Sequence, residues 1–185
     1  MTIAIVVGSV ADVAAKAGMS IAEAFISVEA VAIVDVSGSM SSSDSRGGQR
    51  RYDVACQELA KLQAAMPGKI SVIGFDDRPR WFPGGRPEFT GGGTDVASAL
   101  AFARQSDVPG IRFILISDGQ PDNATDAMAE ARKFKARIDT VFVGPENDGL
   151  AQKFLRELAD ASGGLHVKSD KAQDLAQKAQ TLLLA

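Results

Sequence analysis

Asp35, Ser37 and Ser39 stand in the stretch VAIVDVSGSM, residues 31–40, where an aspartate interrupts an apolar run and hydroxyls follow at every second position. A carboxylate among apolar neighbours is costly unless hydrogen bonds or a positive charge meet it. A structural cap, a catalytic group and a metal ligand each satisfy that condition. Two other stretches carry related chemistry. In IRFILISDGQPD an apolar run again leads into an aspartate, Asp118, followed by Gly119. In FTGGGTDVASAL, Thr94 comes directly after Gly91, Gly92 and Gly93, residues that let a backbone turn tightly and approach a site closely. Two carboxylates and three hydroxyls, without His or Cys, form a hard oxygen set that suits Mg²⁺ or Mn²⁺ rather than zinc or copper. Magnesium draws on only one or two carboxylates, so such a set leaves a position for an outside oxygen.

These groups lie far apart in sequence and act together only if the fold gathers them. The run 30–36 reads as a strand covered on both faces. A helix is expected over 52–66, with Val54, Leu59, Leu62 and Met66 at helical spacing and a stop at Pro67-Gly68. Further strands are expected over 69–77, 111–117, 138–144 and 163–169, and further helices over 94–106, 124–137, 149–162 and 171–185. The proline-bounded stretch 79–83 reads as an edge strand pairing with 69–77. This alternation predicts an α/β protein with a doubly wound, mostly parallel, Rossmann-like sheet, helices on both faces and one antiparallel edge strand. In such sheets the binding crevice lies beyond the carboxyl ends of the strands, where the strand order reverses. Asp35, Ser37, Ser39, Thr94 and Asp118 all fall at that end.

The three pieces in order, D-x-S-x-S at Asp35, Ser37 and Ser39, then GGGTD with Thr94, then SDGQP with Asp118, resemble the von Willebrand factor A domain with its metal-ion-dependent adhesion site. The resemblance spans about residues 29–185 and extends to LRELADASGGLHVKS, which is similar to that family's last helix and strand. It implies a site for Mg²⁺, with Mn²⁺ as substitute. Ser37, Ser39 and Thr94 would be hydroxyl ligands, and Asp35 and Asp118 carboxylate ligands, each direct or through water. It also implies a partner protein presenting an Asp or Glu to the metal, and an adaptor or regulatory role in an intracellular complex, AAA+ ATPase assemblies among them. The domain division that follows is an N-terminal extension, residues 1–28, and a von Willebrand factor A domain, residues 29–185.

Two other readings compete with a binding module. A structural subunit with a vestigial site needs no metal. A Mg²⁺-dependent hydrolase or phosphotransferase that uses D-x-D needs a second acid where this chain has Ser37, and a hydroxyl cannot serve as general acid or base at neutral pH. No Walker-type phosphate loop occurs, and the sole histidine, His166, is remote in sequence from the motifs and expected to be structural. The chain is therefore expected not to be an enzyme.

With 185 residues, 45% hydrophobic and 23% charged, the chain has globular composition and enough length for a full core. A net charge of -3 gives no electrostatic pull toward nucleic acid or anionic membrane. Cys56 is the single cysteine, which precludes an intrachain disulfide, and is expected to be a buried thiol. No run reaches the ~20 apolar residues of a membrane span. The opening apolar run has no Lys or Arg before it, unlike a secretory signal, so a cytoplasmic location without membrane insertion is expected. Arg46, Arg50 and Arg51, in the loop after the first strand, are expected on the metal face, as solvated loop charges or as a basic rim attracting an acidic partner. Asp95 is expected either to support the site beside Thr94 or to be a helix-start charge. Residues 1–28 resemble a repressor helix-turn-helix in part. They lack room for a third helix, and Asp12, Glu23 and Glu29 outweigh Lys16 over residues 1–30, so an extra strand or arm followed by a packing helix is the expectation.

Overall fold

The central strand β1, Ala30–Asp35, is buried on both faces, and its alternating side chains feed two separate cores. The computed structural model describes residues 5–168. Ala30, Ala32 and Val34 pack with Val54, Leu59 and Leu62 of helix α3, Arg51–Ala65. Val31 and Ile33 face the other way, into a core filled from helices α4 (Val96–Ala103), α5 (Ala124–Ala131) and α6 (Gly149–Ser162). The remaining strands are β2 (Ile70–Phe75), β3 (Arg80–Trp81), β4 (Arg112–Ser117), β5 (Ile138–Phe142) and β6 (His166–Lys168). Among the described residues they form a six-stranded sheet in the order β3-β2-β1-β4-β5-β6. Every pairing is parallel except β2 with β3, so the proline-bounded edge strand is antiparallel as expected.

This order decides where a site can form. The chain leaves β1 toward β2 on one side and later returns to lay β4 on the other. The strand order thus reverses at β1, and in doubly wound sheets a site forms beyond the carboxyl ends of the strands at such a point, here β1 and β4. Asp35 closes β1, and Ser117 closes β4 with Asp118 directly after it.

Helices α4 and α5 are shorter than their apolar patterns predict. The turn at Arg104–Ser106 tightens to a 3-10 helix after α4. Beyond α5 the Asp107 carboxylate accepts from the backbone N–H groups of Lys135 and Ala136, at 2.7 and 3.0 Å. Those bonds divert the backbone before the helix expected over 124–137 is complete. The helix expected over 171–185 lies outside the described residues.

The N-terminal residues 5–8 form a turn rather than a strand, pinned where Val6 N–H donates to Gly84 O at 2.9 Å. Two short helices follow, α1 (Val10–Ala17) and α2 (Ile21–Phe25). Ser9 caps the first, and a reciprocal Ser20–Glu23 capping box starts the second. Val10, Ala14 and Ala24 make a small core of their own, and the Phe25 ring meets Trp81 of β3 edge-on at 5.9 Å. Among the described residues no helix is long and apolar enough to cross a membrane.

Candidate metal centre

Asp35 ends β1 fully buried, and its carboxylate is held at both oxygens. Ser37 N–H donates to Oδ1 at 2.9 Å, folding the chain back on itself immediately after the strand. Ser117 Oγ donates to Oδ2 at 2.8 Å and in turn accepts from Gly119 N–H at 2.9 Å. The last residue of β4 therefore fixes the carboxylate that ends β1. Ser37 and Ser39 turn their hydroxyls toward each other, 3.2 Å apart, with Ser37 buried and Ser39 half-buried.

The glycine loop is tied to the same end. Gly91 N–H donates to Val36 O and Gly38 N–H to Gly92 O, both at 3.0 Å. Gly91 takes a positive φ of 72°, a conformation costly for any residue with a Cβ. Thr94 follows, its own N–H donating to Asp122 Oδ2 at 2.8 Å while Asp122 N–H donates back to Thr94 O at 3.0 Å. Three loops are thus laced pairwise, and the five residues singled out from the sequence lie on them. Among the described residues the Thr94 hydroxyl has no hydrogen-bond partner, and the residue is only 6% exposed.

Asp118 is also fully buried, and its two oxygens differ. Oδ2 accepts from Arg51 Nη1 at 2.7 Å, whereas Oδ1 has no partner among the described residues. Leaving a buried carboxylate oxygen unmet costs at least ~1–3 kcal/mol, so this atom marks a place for a donor or a cation. Arg51 reaches Asp44 through Nε and Nη2, each at 2.7 Å, in a fork-shaped pair. The Asp44 bond and the neighbouring Asp118 raise the Arg51 pKa against the opposing effect of burial.

Arg51 corrects one expectation. It lies at the expected end of the sheet, bonded to Asp118, but is only 6% exposed and so is neither a solvated loop charge nor part of an open rim. Arg46 pairs with the buried Glu58 at 3.1 Å, and the Arg50 guanidinium lies 4.1 Å from the centre of the Phe89 ring. Cys56 is half-buried, and burial pushes its thiol pKa up. Asp95 caps α4 by accepting from Ser98 N–H at 2.9 Å. His166 of β6 has its Nδ1 2.9 Å from Thr140 Oγ1 of β5, away from these loops, and burial lowers its pKa. Ser117 and Asp122 are the participants that the sequence patterns did not single out. Ser117 and Asp122 flank Asp118 within ISDGQPD, so their proximity was available as a signal.

Burial, reinforced by the negative charge of Asp118, pushes the Asp35 pKa up from 3.8 to about 7, against hydrogen bonds from Ser37 and Ser117 that favour the ionised form. The native protein therefore retains a proton that the unfolded chain releases near pH 4. In chelator its stabilising effect is complete below that pH and is lost as pH rises through about 7. The slope is at most ~1.4 kcal/mol per pH unit. Denaturation midpoints of wild type, measured in EDTA from pH 5 to 8, should fall relative to Asp35→Asn. Saturating Mg²⁺, which favours the ionised carboxylate, should flatten that difference.

The donor set fits a hard divalent cation: two carboxylates, one with an unmet oxygen, and three hydroxyls. Among the described residues no group of three or more His, Cys, Asp or Glu is placed to hold a metal ion.

The fold of this chain is similar to that of solved structures of von Willebrand factor A type. A von Willebrand factor type A structure from Catenulispora acidiphila superposes with TM-score 0.56 at 19% identity, over 80% of this chain and 41% of that one. The aerotolerance-related membrane protein of Bacteroides fragilis, solved with multiple mutations to serine, gives TM-score 0.65 at 16% identity, over 85% of this chain and 98% of that one. Manganese-loaded TRAP protein of Plasmodium vivax gives 0.62 at 16% identity, over 82% and 72%. No protein-family model matches the sequence, and no curated protein matches it. At these identities the likeness establishes the fold.

Proposed function

We propose that this chain is a divalent-cation-dependent protein-binding module. Asp35, Ser37, Ser39, Thr94 and Asp118 hold Mg²⁺, or Mn²⁺, each directly or through water. The bound cation supplies a positive centre with a coordination position for a carboxylate, and an Asp or Glu of a partner protein fills it. The observation that carries this reading is the buried, unmet Oδ1 of Asp118 in loops that also present Asp35, Ser37, Ser39 and Thr94. The manganese in the Plasmodium vivax relative supports it by analogy of fold.

The module acts as an adaptor or regulatory subunit of an intracellular complex, an AAA+ ATPase assembly being one such setting. It is not itself an enzyme: Ser37 occupies the place where a D-x-D phosphatase needs its second acid. Isothermal titration with Mg²⁺ tests the first step, with saturable binding expected for wild type and none for Asp35→Ala. Affinity capture of partners should then depend on the cation and vanish in EDTA.

A structural subunit with a vestigial site is favoured by one observation, the Arg51–Asp118 bond that already neutralises half of the acid pair. Partner capture that persists in EDTA and in Asp35→Ala would decide for that reading.

A further inference from the structure

A second, unrelated feature lies at the opposite end of β1. Val31, near the start of that strand, forms the floor of a cavity of about 340 Å³. Phe25 and Val28 from the N-terminal extension, Trp81 of the edge strand and Ile111 before β4 supply apolar walls. Beside Val31, across the parallel register, sits Ser71 of β2, 1% exposed and also lining the cavity. Its hydroxyl has no hydrogen-bond partner among the described residues. A serine in the middle of a sheet ordinarily satisfies its hydroxyl through backbone or water. Here an unmet donor and acceptor lines a mostly apolar cavity, whose other polar lining residue is the half-buried Ser106 and whose most exposed lining residues are Ile26 and Val108, 86% and 54% exposed.

We infer that this cavity is a binding site for a small neutral amphiphile, an apolar body carrying one hydrogen-bonding group that enters first and meets Ser71. The volume falls within the range of about 300–1,000 Å³ typical of small-molecule sites, whose walls are mostly apolar with few polar groups fixing orientation. Neutrality follows from the lining: no ionisable side chain is among the lining residues, so a carboxylate or ammonium delivered to Ser71 would lose its hydration without a counter-charge. An alcohol, phenol or ketone loses far less and gains the bond that Ser71 lacks. The extension thereby acquires a role, because α2 and the residues after it, through Phe25 and Val28, build one side of the site. The site is separate from the proposed metal centre and independent of that function.

Trp81 is the only tryptophan in the chain and lines the cavity, so its fluorescence reports occupancy directly. The protein is titrated with octan-1-ol and with octanoate at pH 7, exciting at a wavelength selective for tryptophan. Octan-1-ol should change the emission saturably, and octanoate should bind at least ~10-fold more weakly. Ser71→Ala removes only the hydroxyl and an unmet polar group, so it should fold and melt at or above the wild-type temperature. It should bind octan-1-ol ~3–10-fold more weakly, the loss of one hydrogen bond. A second variant, Val28→Phe, narrows the wall from a half-buried position and should weaken the alcohol further. No saturable change with octan-1-ol, equal binding of octanoate, or unchanged affinity in Ser71→Ala would each overturn the assignment.

Discussion

Asp35→Asn lowers Mg²⁺ affinity at least ~100-fold while the folded protein becomes more stable in chelator above pH 7. The two effects have one origin. Asp35 is fully buried with Asp118 nearby, so in the absence of a cation its ionised form is opposed by burial and by a like charge. Asparagine keeps the shape and can accept the Ser37 N–H bond, but it carries no charge to desolvate. Toward a cation the balance reverses. Two unit charges 4 Å apart interact by about 4 kcal/mol at an effective dielectric of 20, and a divalent ion doubles that. Losing one of two carboxylates therefore removes more than the ~2.7 kcal/mol that corresponds to 100-fold. Titration calorimetry of both proteins, with chemical denaturation in EDTA at pH 8, checks the pair. Retained Mg²⁺ affinity in Asp35→Asn would remove Asp35 from the site.

Arg51→Ala has effects of opposite sign on stability and on metal affinity. The guanidinium bridges buried Asp118 and half-exposed Asp44, both at 2.7 Å. Removing one member of a buried pair strands the other charge, which costs about 3–5 kcal/mol. The variant should lose that much in chelator, read as a lower denaturation midpoint. The same deletion removes a positive charge adjacent to the cation position, so Mg²⁺ should bind ~10-fold or more tightly, a difference of about 1.4 kcal/mol or more. Excess Mg²⁺ should then rescue stability, by about 2.7 kcal/mol at 100 times the Kd. Arg51→Lys separates charge from geometry, since lysine cannot make the fork to Asp44. Should Arg51→Ala bind Mg²⁺ no more tightly than wild type, the cation does not sit beside Asp118, and the unmet Oδ1 needs another explanation.

The residues proposed for the site were legible because each is announced by local chemistry. An acid at the end of an apolar strand, hydroxyls at alternate positions and a threonine behind three glycines are patterns within about ten residues. The strands were legible for the same reason. AVAIVD and RFILIS are uninterrupted apolar segments, and the sheet buries them from both faces. Arg51 shows where local reading stops. It follows Arg50 directly, yet Arg50 lies over Phe89 while Arg51 turns into the site. Successive helical residues point about 100° apart, and helix ends are uncertain by one or two residues. With Arg50 at the cap and Arg51 the first helical residue, a one-residue shift would have exchanged their roles.

By itself the sequence determined the α/β alternation and the placing of Asp35 and Asp118 at the ends of apolar strands, because periodicity and residue type are properties of short segments. Only the tertiary structure decided that β1 lies between β2 and β4, that Ser117 and Arg51 hold the two acids, and that Ser71 faces a cavity walled by the N-terminal extension. Those outcomes rest on contacts between residues tens of positions apart. Strand order, side-chain direction and trapped space arise from the packing of whole elements, and no local pattern encodes that packing.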